Sequence, residues 1–139
     1  GKSCDDYNLK DGETIISVDT CAECICSGEV LICNAQECLN NDSVQIKLQK
    51  VIADFVKSWN NNDENLNLIT GNYQNTKISD FEIVNYELNN EKSSNYSLVY
   101  DVYLNVNKGD QIILELAQRL YFLPEEMFWS VNSYNYINY

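Results

Sequence analysis

The six cysteines carry the most informative chemistry in this chain, because clustered thiols either pair as disulfides or bind a metal. All of them lie within the first 38 of 139 residues, at Cys4, Cys21, Cys24, Cys26, Cys33 and Cys38. Cys21 and Cys24 have a zinc-like spacing, but the chain has no second pair of this kind and no histidine. Three disulfides are the favoured interpretation, and zinc is the alternative. Disulfides require an oxidising compartment, so we expect a secreted, extracellular protein that needs no cofactor.

Residues that could act in catalysis are scarce. The chain contains no histidine and no glycine-rich phosphate loop, and paired cysteines leave no free thiol, so the usual nucleophile and general-base arrangements are unavailable. Adjacent carboxylates occur at Asp63 and Glu64 and again at Glu125 and Glu126. Neighbouring acids in a polar stretch are usually solvated surface. We therefore expect a binding protein with no catalytic residues, not an enzyme.

The charge distribution restricts the partners. The chain has 21 acidic and 9 basic residues, a net charge of −12. Residues 1–43 hold nine acidic and two basic side chains, net −7, and residues 44–139 hold twelve and seven, net −5. Such a surface repels nucleic acid and anionic membranes, and no apolar run of 18 residues is present to insert into a membrane. A basic protein ligand is the expected partner of the N-terminal segment, and an acidic surface kept for solubility is the alternative.

The two regions of the chain must become stable by different physical means. About 40 residues cannot bury enough apolar surface to offset the entropy of ordering, whereas about 100 residues can form a core unaided. The cysteine-rich segment therefore needs its covalent links, and the cysteine-free remainder does not. We predict a disulfide-stapled β module over residues 1–42 and an α+β domain over residues 43–139.

A helix is predicted at the start of the second region. Asp42 or Ser43 can serve as its N-cap, and Gln45 stands three residues after Asp42 as in a capping box. Apolar residues then recur at spacings of three and four, at Val44, Leu48, Val51, Ile52, Phe55 and Trp59. Such a stripe is typical of a core-facing helix. The helix should end within residues 60–63, where asparagine and aspartate side chains compete for the backbone hydrogen bonds.

The apolar period changes to two later in the chain, which predicts strands. Leu98, Tyr100, Val102, Leu104 and Val106 point one way. Turn-forming residues 107–110 separate this strand from a second over 110–121, for which a helix is the alternative because Gln, Glu, Leu and Ala favour helices. Further strands over 79–89 and 127–137 complete a four-stranded antiparallel meander, with the helix packed across it.

The cysteine spacing is C-x16-C-x2-C-x-C-x6-C-x4-C, with Asp19 before the second cysteine, Gly28 after the fourth, and Gly12 and Glu13 ahead of the run. Over about 35 residues this pattern resembles the N-terminal half of a von Willebrand factor type C domain, whose signature includes a C-x-x-C-x-C run, a glycine and a following cysteine. The adjacent cysteine pair and the second subdomain of the full domain are absent. The six-cysteine arrangement is equally similar to a pacifastin-type serine-protease inhibitor.

The resemblance to the type C half-domain implies both a disulfide pattern and a function. Sequence alone allows 15 connectivities for six cysteines; both families imply Cys4 with Cys26, Cys24 with Cys33 and Cys21 with Cys38. Type C domains of chordin-like proteins and procollagens bind growth factors of the bone morphogenetic protein family, which are often basic. The candidate contact residues here are Ile25, Val30, Leu31 and Ile32. A structural or self-associating role in the extracellular matrix is the alternative.

The pacifastin resemblance implies a different site. The reactive bond of those inhibitors lies between the last two cysteines, which corresponds here to the extended segment Asn34, Ala35, Gln36 and Glu37. Ala35 would then enter the specificity pocket of an elastase-like serine protease. The second region is similar to cystatin-like architecture in outline only, without the loop motifs of cysteine-protease inhibitors. Asn41 and Asn95 lie in glycosylation sequons, and the tyrosine-rich residues 134–139 could form a self-association edge.

Overall fold

The computed structural model describes residues 2–18, 20–39, 44–123, 126 and 129–139, and no side chains for residues 44–46. Several predicted features lie outside these described residues: Asp19, the sequon at Asn41, the helix cap at Asp42 or Ser43 with the Gln45 side chain, and Glu125 and Phe128. The predicted boundary between the two regions, at residues 42 and 43, also lies outside them.

The N-terminal region folds as a three-stranded antiparallel sheet held by three disulfides. Its strands are β1 (Thr14–Ile16), β2 (Glu23–Ser27) and β3 (Val30–Ile32), in the order β1-β2-β3. A two-residue turn at Gly28 and Glu29, both at positive φ (58° and 73°), joins β2 to β3 as a tight hairpin requires. The bridges are Cys4–Cys26, Cys21–Cys38 and Cys24–Cys33, the three pairs that the family resemblance implies.

The second region is one helix and a four-stranded meander, which confirms the predicted α+β class. The helix is α1 (Val44–Asn60). The strands are β4 (Phe81–Leu88), β5 (Ser97–Val106), β6 (Asp110–Arg119) and β7 (Trp129–Ile137), in the order β4-β5-β6-β7 with antiparallel neighbours. The strand interpretation of residues 110–121 is therefore correct and the helical alternative is wrong. Pairing along the whole length of β5 outweighs the helix propensity of those residues.

The core between helix and sheet is centred on Trp59, which is fully buried. Its ring centroid lies 4.7 Å from that of Tyr73, 5.3 Å from that of Tyr134 and 5.6 Å from that of Tyr136. Its indole nitrogen donates a hydrogen bond to the Thr76 carbonyl oxygen at 2.9 Å. The rest of the predicted helix stripe is also buried at Leu48, Ile52 and Phe55, with Val51 half-buried. The helix therefore packs on the sheet as its periodicity predicts.

The disulfide-bonded module packs directly on the second domain. The Val18 amide donates to the Tyr121 carbonyl at 2.9 Å, and the Ala35 amide donates to the Asn95 carbonyl at 2.9 Å. Buried apolar side chains of the module, including Leu31, belong to the same contiguous cluster as those between α1 and the sheet. The two regions therefore share one hydrophobic core and are not independent domains joined only by a linker.

A clasp of three side chains adds a polar connection between the module and the second domain. The Lys2 Nζ lies 3.0 Å from the Glu126 carboxylate, and the Tyr7 hydroxyl donates to the same carboxylate at 3.1 Å. The Tyr7 and Phe122 rings meet edge to face at 5.2 Å. Burial alone raises the pKa of Glu126, but hydrogen bonds from Lys2, from Tyr7 and from the Phe122 amide outweigh burial and lower that pKa below its usual range.

We expect the clasp to weaken in acid. Because the folded state lowers the pKa of Glu126, the clasp contributes stability above the ordinary glutamate pKa and loses it as pH falls through the lower, folded value. Substituting Glu126→Gln should remove this part of the acid dependence of the melting temperature, and Glu82→Gln at an exposed position should not. Melting curves from neutral pH to about pH 2 measure the difference. An unchanged acid profile in the Glu126 variant would contradict this account.

Candidate protein-binding surface

One face of the module sheet presents apolar side chains to solvent. The strand register places Thr14, Ile25 and Ile32 in one row across the sheet, so the two isoleucines are cross-strand neighbours. Ile25 is 43% exposed and Ile32 is 51% exposed. Val30 and Ile16 point the same way, because each pairs with a residue two positions from Ile25. We call Ile16, Ile25, Val30 and Ile32 the apolar face.

The opposite face of the same sheet is filled by the disulfides. Cys24 and Cys26 alternate with Ile25 along β2 and are buried. Leu31 is also completely buried and stands directly opposite Cys26 in the register. The prediction that Leu31 contacts a ligand is therefore wrong, because alternate residues of a strand point to opposite faces. Of the four predicted contact residues, the structure brings Ile25, Val30 and Ile32 together and excludes Leu31.

The sequence alone does not identify the fourth member of the apolar face, Ile16. Ile15 and Ile16 are adjacent apolar residues in a strand of three, so the period of two does not by itself show which of them is exposed. The structure half-buries Ile15 and exposes Ile16 by 55%. Ile16 pairs with Glu23, and this register shows that Ile16 lies on the same face as Ile25.

Exposed acidic residues lie on the apolar face and near it. Glu23 lies on the face itself, opposite Ile16, while Glu13 and Glu29 are exposed at the residues just before β1 and β3. Exposed Glu37 accepts a hydrogen bond from the Glu23 amide at 3.4 Å, which brings a further carboxylate to this edge of the sheet. The resulting surface is an apolar strip with a negative rim, which complements a partner that has apolar side chains among positive charges.

The segment predicted as an inhibitor loop has a different conformation. Residues Ala35–Cys38 form a 3₁₀ helix capped by Asn34, whose side-chain oxygen accepts from the Gln36 amide at 3.1 Å. Ala35 is buried, with its amide hydrogen-bonded to the second domain. The prediction of an extended loop that presents Ala35 to a protease is therefore wrong. The Asn34 cap initiates a turn, and packing on the second domain covers the residue that a protease would have to contact.

The remaining predicted site residues are mostly structural. Asp63 caps a 3₁₀ helix by accepting from the Asn65 amide at 3.0 Å, and Glu126 belongs to the clasp. Tyr134 and Tyr136 are buried in the core, whereas Tyr139 is 84% exposed. The self-association edge at residues 134–139 stays a prediction. The Asn95 sequon is exposed, and its glycosylation stays a prediction.

No group of three or more histidine, cysteine, aspartate or glutamate residues in the described ranges could hold a metal ion. No helix within those ranges has the length and apolar character needed to cross a membrane.

Comparison with known proteins finds no matching family model, no matching curated protein and no matching solved structure. The resemblance to a von Willebrand factor type C half-domain and the outline likeness to cystatins therefore stay predictions from the sequence. The fold and the surface together describe an α+β protein that has a disulfide-stapled module with an exposed apolar face.

Proposed function

We propose that this chain is a secreted binding protein that captures a basic protein ligand on the apolar face of its disulfide-stapled module. The observation that carries the proposal is the Ile25–Ile32 cross-strand pair. These two β-branched side chains are neighbours across the sheet, and about half of each is exposed to solvent. The other face of the sheet is covered by the buried disulfides and Leu31. Contiguous exposed apolar side chains with a polar rim are the usual features of a protein interface.

The charge of the module supports a basic ligand. Glu23 lies on the apolar face, Glu29 is exposed in the turn next to Val30, and the net charge is −7 over residues 1–43. Of the two basic residues in that segment, Lys2 is occupied by Glu126. A positively charged partner would therefore be steered toward the face, and an acidic one would be repelled. Among extracellular proteins, a basic growth factor has this chemistry, and it is also the ligand class that the type C resemblance implies.

The disulfides support the extracellular part of the proposal. Three bridges stabilise a module of about 40 residues, and such bridges persist in oxidising compartments. The rigid sheet that they create holds the apolar face in place before a ligand arrives, which reduces the entropy lost on binding. No catalytic step is part of this proposal.

The double substitution Ile25→Thr and Ile32→Thr tests the proposed face. It keeps both residues β-branched and removes apolar surface, so the fold should be retained while affinity for a basic growth factor falls by about tenfold or more. Surface plasmon resonance on the whole immobilised chain, against a panel of basic growth factors at low and physiological salt, measures this loss. Association should also slow as salt is raised, because salt screens the acidic rim.

The matched control is Val84→Thr, which changes an apolar residue that is 53% exposed on the other sheet. This variant should bind like the unsubstituted chain. The proposal is contradicted if no member of the panel binds at either salt concentration, or if the double variant binds as well as the control. Melting temperatures of both variants verify that a loss of affinity does not come from unfolding.

A further inference from the structure

The two edges of the four-stranded sheet differ in how far the chain itself covers them. At β7, the Tyr134 amide donates to the Thr70 carbonyl at 2.8 Å. Leu66 and Ile69 of the same segment line a cavity of about 370 Å³ between α1 and β7. At the other edge, no strand or isolated bridge within the described ranges pairs with β4 on the side away from β5. Unpaired main-chain groups along a strand edge are a template for pairing with another chain.

A β-bulge limits the open edge to the second half of β4. The register of β4 with β5 shifts between Ile83 and Asn85, and Val84 is not paired with a residue of β5. Bulges in edge strands disturb regular pairing and so protect the edge. Beyond the bulge, Asn85–Leu88 pairs with β5 without interruption. This segment is therefore where a further strand can continue the sheet.

The hydrogen bonds at the end of β4 show which main-chain groups of this segment are open. The Asn89 amide donates to the Val99 carbonyl of β5 at 2.7 Å. Successive residues of an antiparallel strand point their amide and carbonyl groups alternately to the two sides. Glu87 therefore points its main chain to β5, as Asn89 does. The open amide and carbonyl groups belong to Tyr86 and Leu88.

The two faces of the segment differ in chemistry. Leu88 is half-buried against the core, and Tyr86 is 37% exposed, with its ring edge to face with that of Tyr100 at 6.0 Å. Glu87 points to the opposite face of the sheet. Residues directly opposite one another in neighbouring strands share a face. A strand added beside β4 would thus place one set of side chains next to Tyr86 and Leu88 and the other set next to Glu87.

The face that carries Glu87 lacks positive charge. Glu87 lies directly opposite Asp101 of β5, and Asp101 lies directly opposite Glu115 of β6. Like charges in such positions destabilise a sheet. Lys92 forms an ion pair with Glu115, whereas Glu87 has no ion pair in the described part of the chain and accepts from the neutral Asn85 side-chain amide at 3.3 Å. A cationic side chain at the open edge beside Glu87 would relieve this repulsion.

A second copy of this chain fits the edge less well than a basic partner. Glu82 and Glu87 pair with Asn105 and Asp101, so both point to the same face of the sheet. Antiparallel pairing of two β4 strands would bring the four glutamates of the two copies together on that face. Each copy also has a net charge of −12, which adds long-range repulsion.

We infer that the edge of β4 at Asn85–Leu88 takes up, as a fifth strand, an extended segment of a partner protein in which apolar and basic residues alternate. Main-chain hydrogen bonds to Tyr86 and Leu88 provide affinity, as in other cases of strand addition. Apolar side chains cover the exposed parts of these two residues, and a basic side chain beside Glu87 provides specificity. This site lies on a different sheet from the apolar face of the module and does not depend on the function proposed for that face.

The test titrates the whole chain with the acetylated, amidated peptide Thr-Lys-Val-Lys-Val-Lys-Thr and follows amide chemical shifts. Saturable changes should concentrate at the Tyr86 and Leu88 amides, because these amides gain hydrogen bonds. The matched peptide Thr-Lys-Lys-Val-Val-Lys-Thr has the same composition and charge but no alternation. It should bind at least about fivefold more weakly, because no register places both valines on the apolar side and all lysines on the acidic side.

Backbone methylation of the alternating peptide tests the main-chain contacts. In antiparallel addition, the two valines lie opposite Tyr86 and Leu88 and donate their amides to β4, whereas the lysine amides point away. Methylation of both valine nitrogens should therefore weaken binding at least about tenfold. Methylation of the second and third lysine nitrogens should have a much smaller effect. In parallel addition the order of the two methylated peptides reverses, because the lysine amides then face β4.

Variants of the chain test the charge and the location of the site. Glu87→Lys should weaken binding of the alternating peptide about fivefold at low salt. Glu64→Lys makes the same change in net charge at an exposed position of the 3₁₀ helix Glu64–Leu68 and should leave the affinity within about twofold. The double variant Ile25→Thr and Ile32→Thr should bind the peptide as the unsubstituted chain does, which separates this site from the apolar face.

Three results would overturn the inference. Absence of saturable binding up to about millimolar concentration would show that the edge of β4 does not take up a strand. Equal affinity of the alternating and matched peptides, or of the two methylated peptides, would show that charge alone attracts them. Concentration-dependent dimerisation without peptide, with shifts at the Tyr86 and Leu88 amides, would show that the occupant of the edge is a second copy of this chain.

Discussion

Replacing Trp59 by alanine is expected to reduce the free energy of unfolding by about 3–5 kcal/mol, the range for removing a large buried aromatic side chain. Trp59 is fully buried, and its ring contacts Phe55, Tyr134 and Tyr136. The substitution leaves a cavity in the centre of the core. It also leaves the Thr76 carbonyl, which accepts from the indole nitrogen, without that donor.

Urea unfolding followed by far-ultraviolet circular dichroism measures the loss. Trp59→Phe should lie between the alanine variant and the unsubstituted chain, because it keeps most of the volume but not the hydrogen bond. Lys57→Ala, an exposed position two residues earlier on the same helix, should change stability by less than about 0.5 kcal/mol. A loss below about 1 kcal/mol in Trp59→Ala would show that the aromatic cluster is not the centre of the core.

The end of α1 organises the irregular segment that follows it. Asn60 donates from its side-chain amide to the Ile78 carbonyl and accepts from the Ile78 amide, both at 2.8 Å. The Tyr73 hydroxyl donates to the Trp59 carbonyl at 3.1 Å. These contacts hold residues 61–80 against the helix end, although the segment contains little regular structure. The shape of the cavity between α1 and β7 depends on them, since Leu66 and Ile69 line this cavity.

The sequence predicts the regular elements well because their periodicity is local information. The apolar stripe on α1 and the alternation along β5 each predict which face of the element is buried. The structure buries the predicted face in both cases. The sequence leaves residues 110–121 open between helix and strand. Their residue types favour a helix, whereas their alternating apolar pattern favours a strand. Only pairing with β5 and β7 decides that case, and pairing is not visible in a short window of sequence.

One residue of β5 shows how tertiary contacts modify a correct pattern. Val99 points to the polar face of the sheet, as alternation predicts, yet it is buried. The turn after β4 folds over that face: the Ser93 hydroxyl accepts from the Val99 amide at 2.9 Å, and Lys92 is paired with Glu115. A surface loop that covers one residue leaves no periodic signal.

The candidate surfaces differ in how far the sequence could predict them. Three members of the apolar face lie within eight residues of one another, and the cysteine pattern draws attention to them. The prediction fails at Leu31 because only alternate residues of β3 share a face. The cavity between α1 and β7 is lined by residues 51–69 and 129–131. Neither segment alone indicates this cavity, because only the tertiary fold brings the two segments together.

Removing the Cys21–Cys38 bridge is the second change with a large expected effect. This bridge spans 17 residues of sequence, and a loop of this size stabilises a fold by about 3 kcal/mol through its effect on the unfolded chain. Cys38 and Ala35 lie in the shared core cluster, so the bridge also holds the 3₁₀ helix Ala35–Cys38 against the second domain. The double variant Cys21→Ala and Cys38→Ala should lose order in the module and at this junction.

Amide hydrogen exchange resolves where the stability is lost, because it reports local as well as global opening. The Cys26 amide, which donates to Glu13 within the module, and the Ala35 amide, which donates to Asn95, should each lose about a hundredfold in protection, the equivalent of about 3 kcal/mol. Amides near Leu104 in the centre of the meander should change little.

The comparison variant lacks the Cys4–Cys26 bridge, which spans 22 residues but lies outside the shared cluster. This variant should therefore keep the protection of the Ala35 amide. Equal loss of Ala35 protection in both variants would show that the junction depends on the folding of the module as a whole, not on the particular bridge that adjoins the second domain.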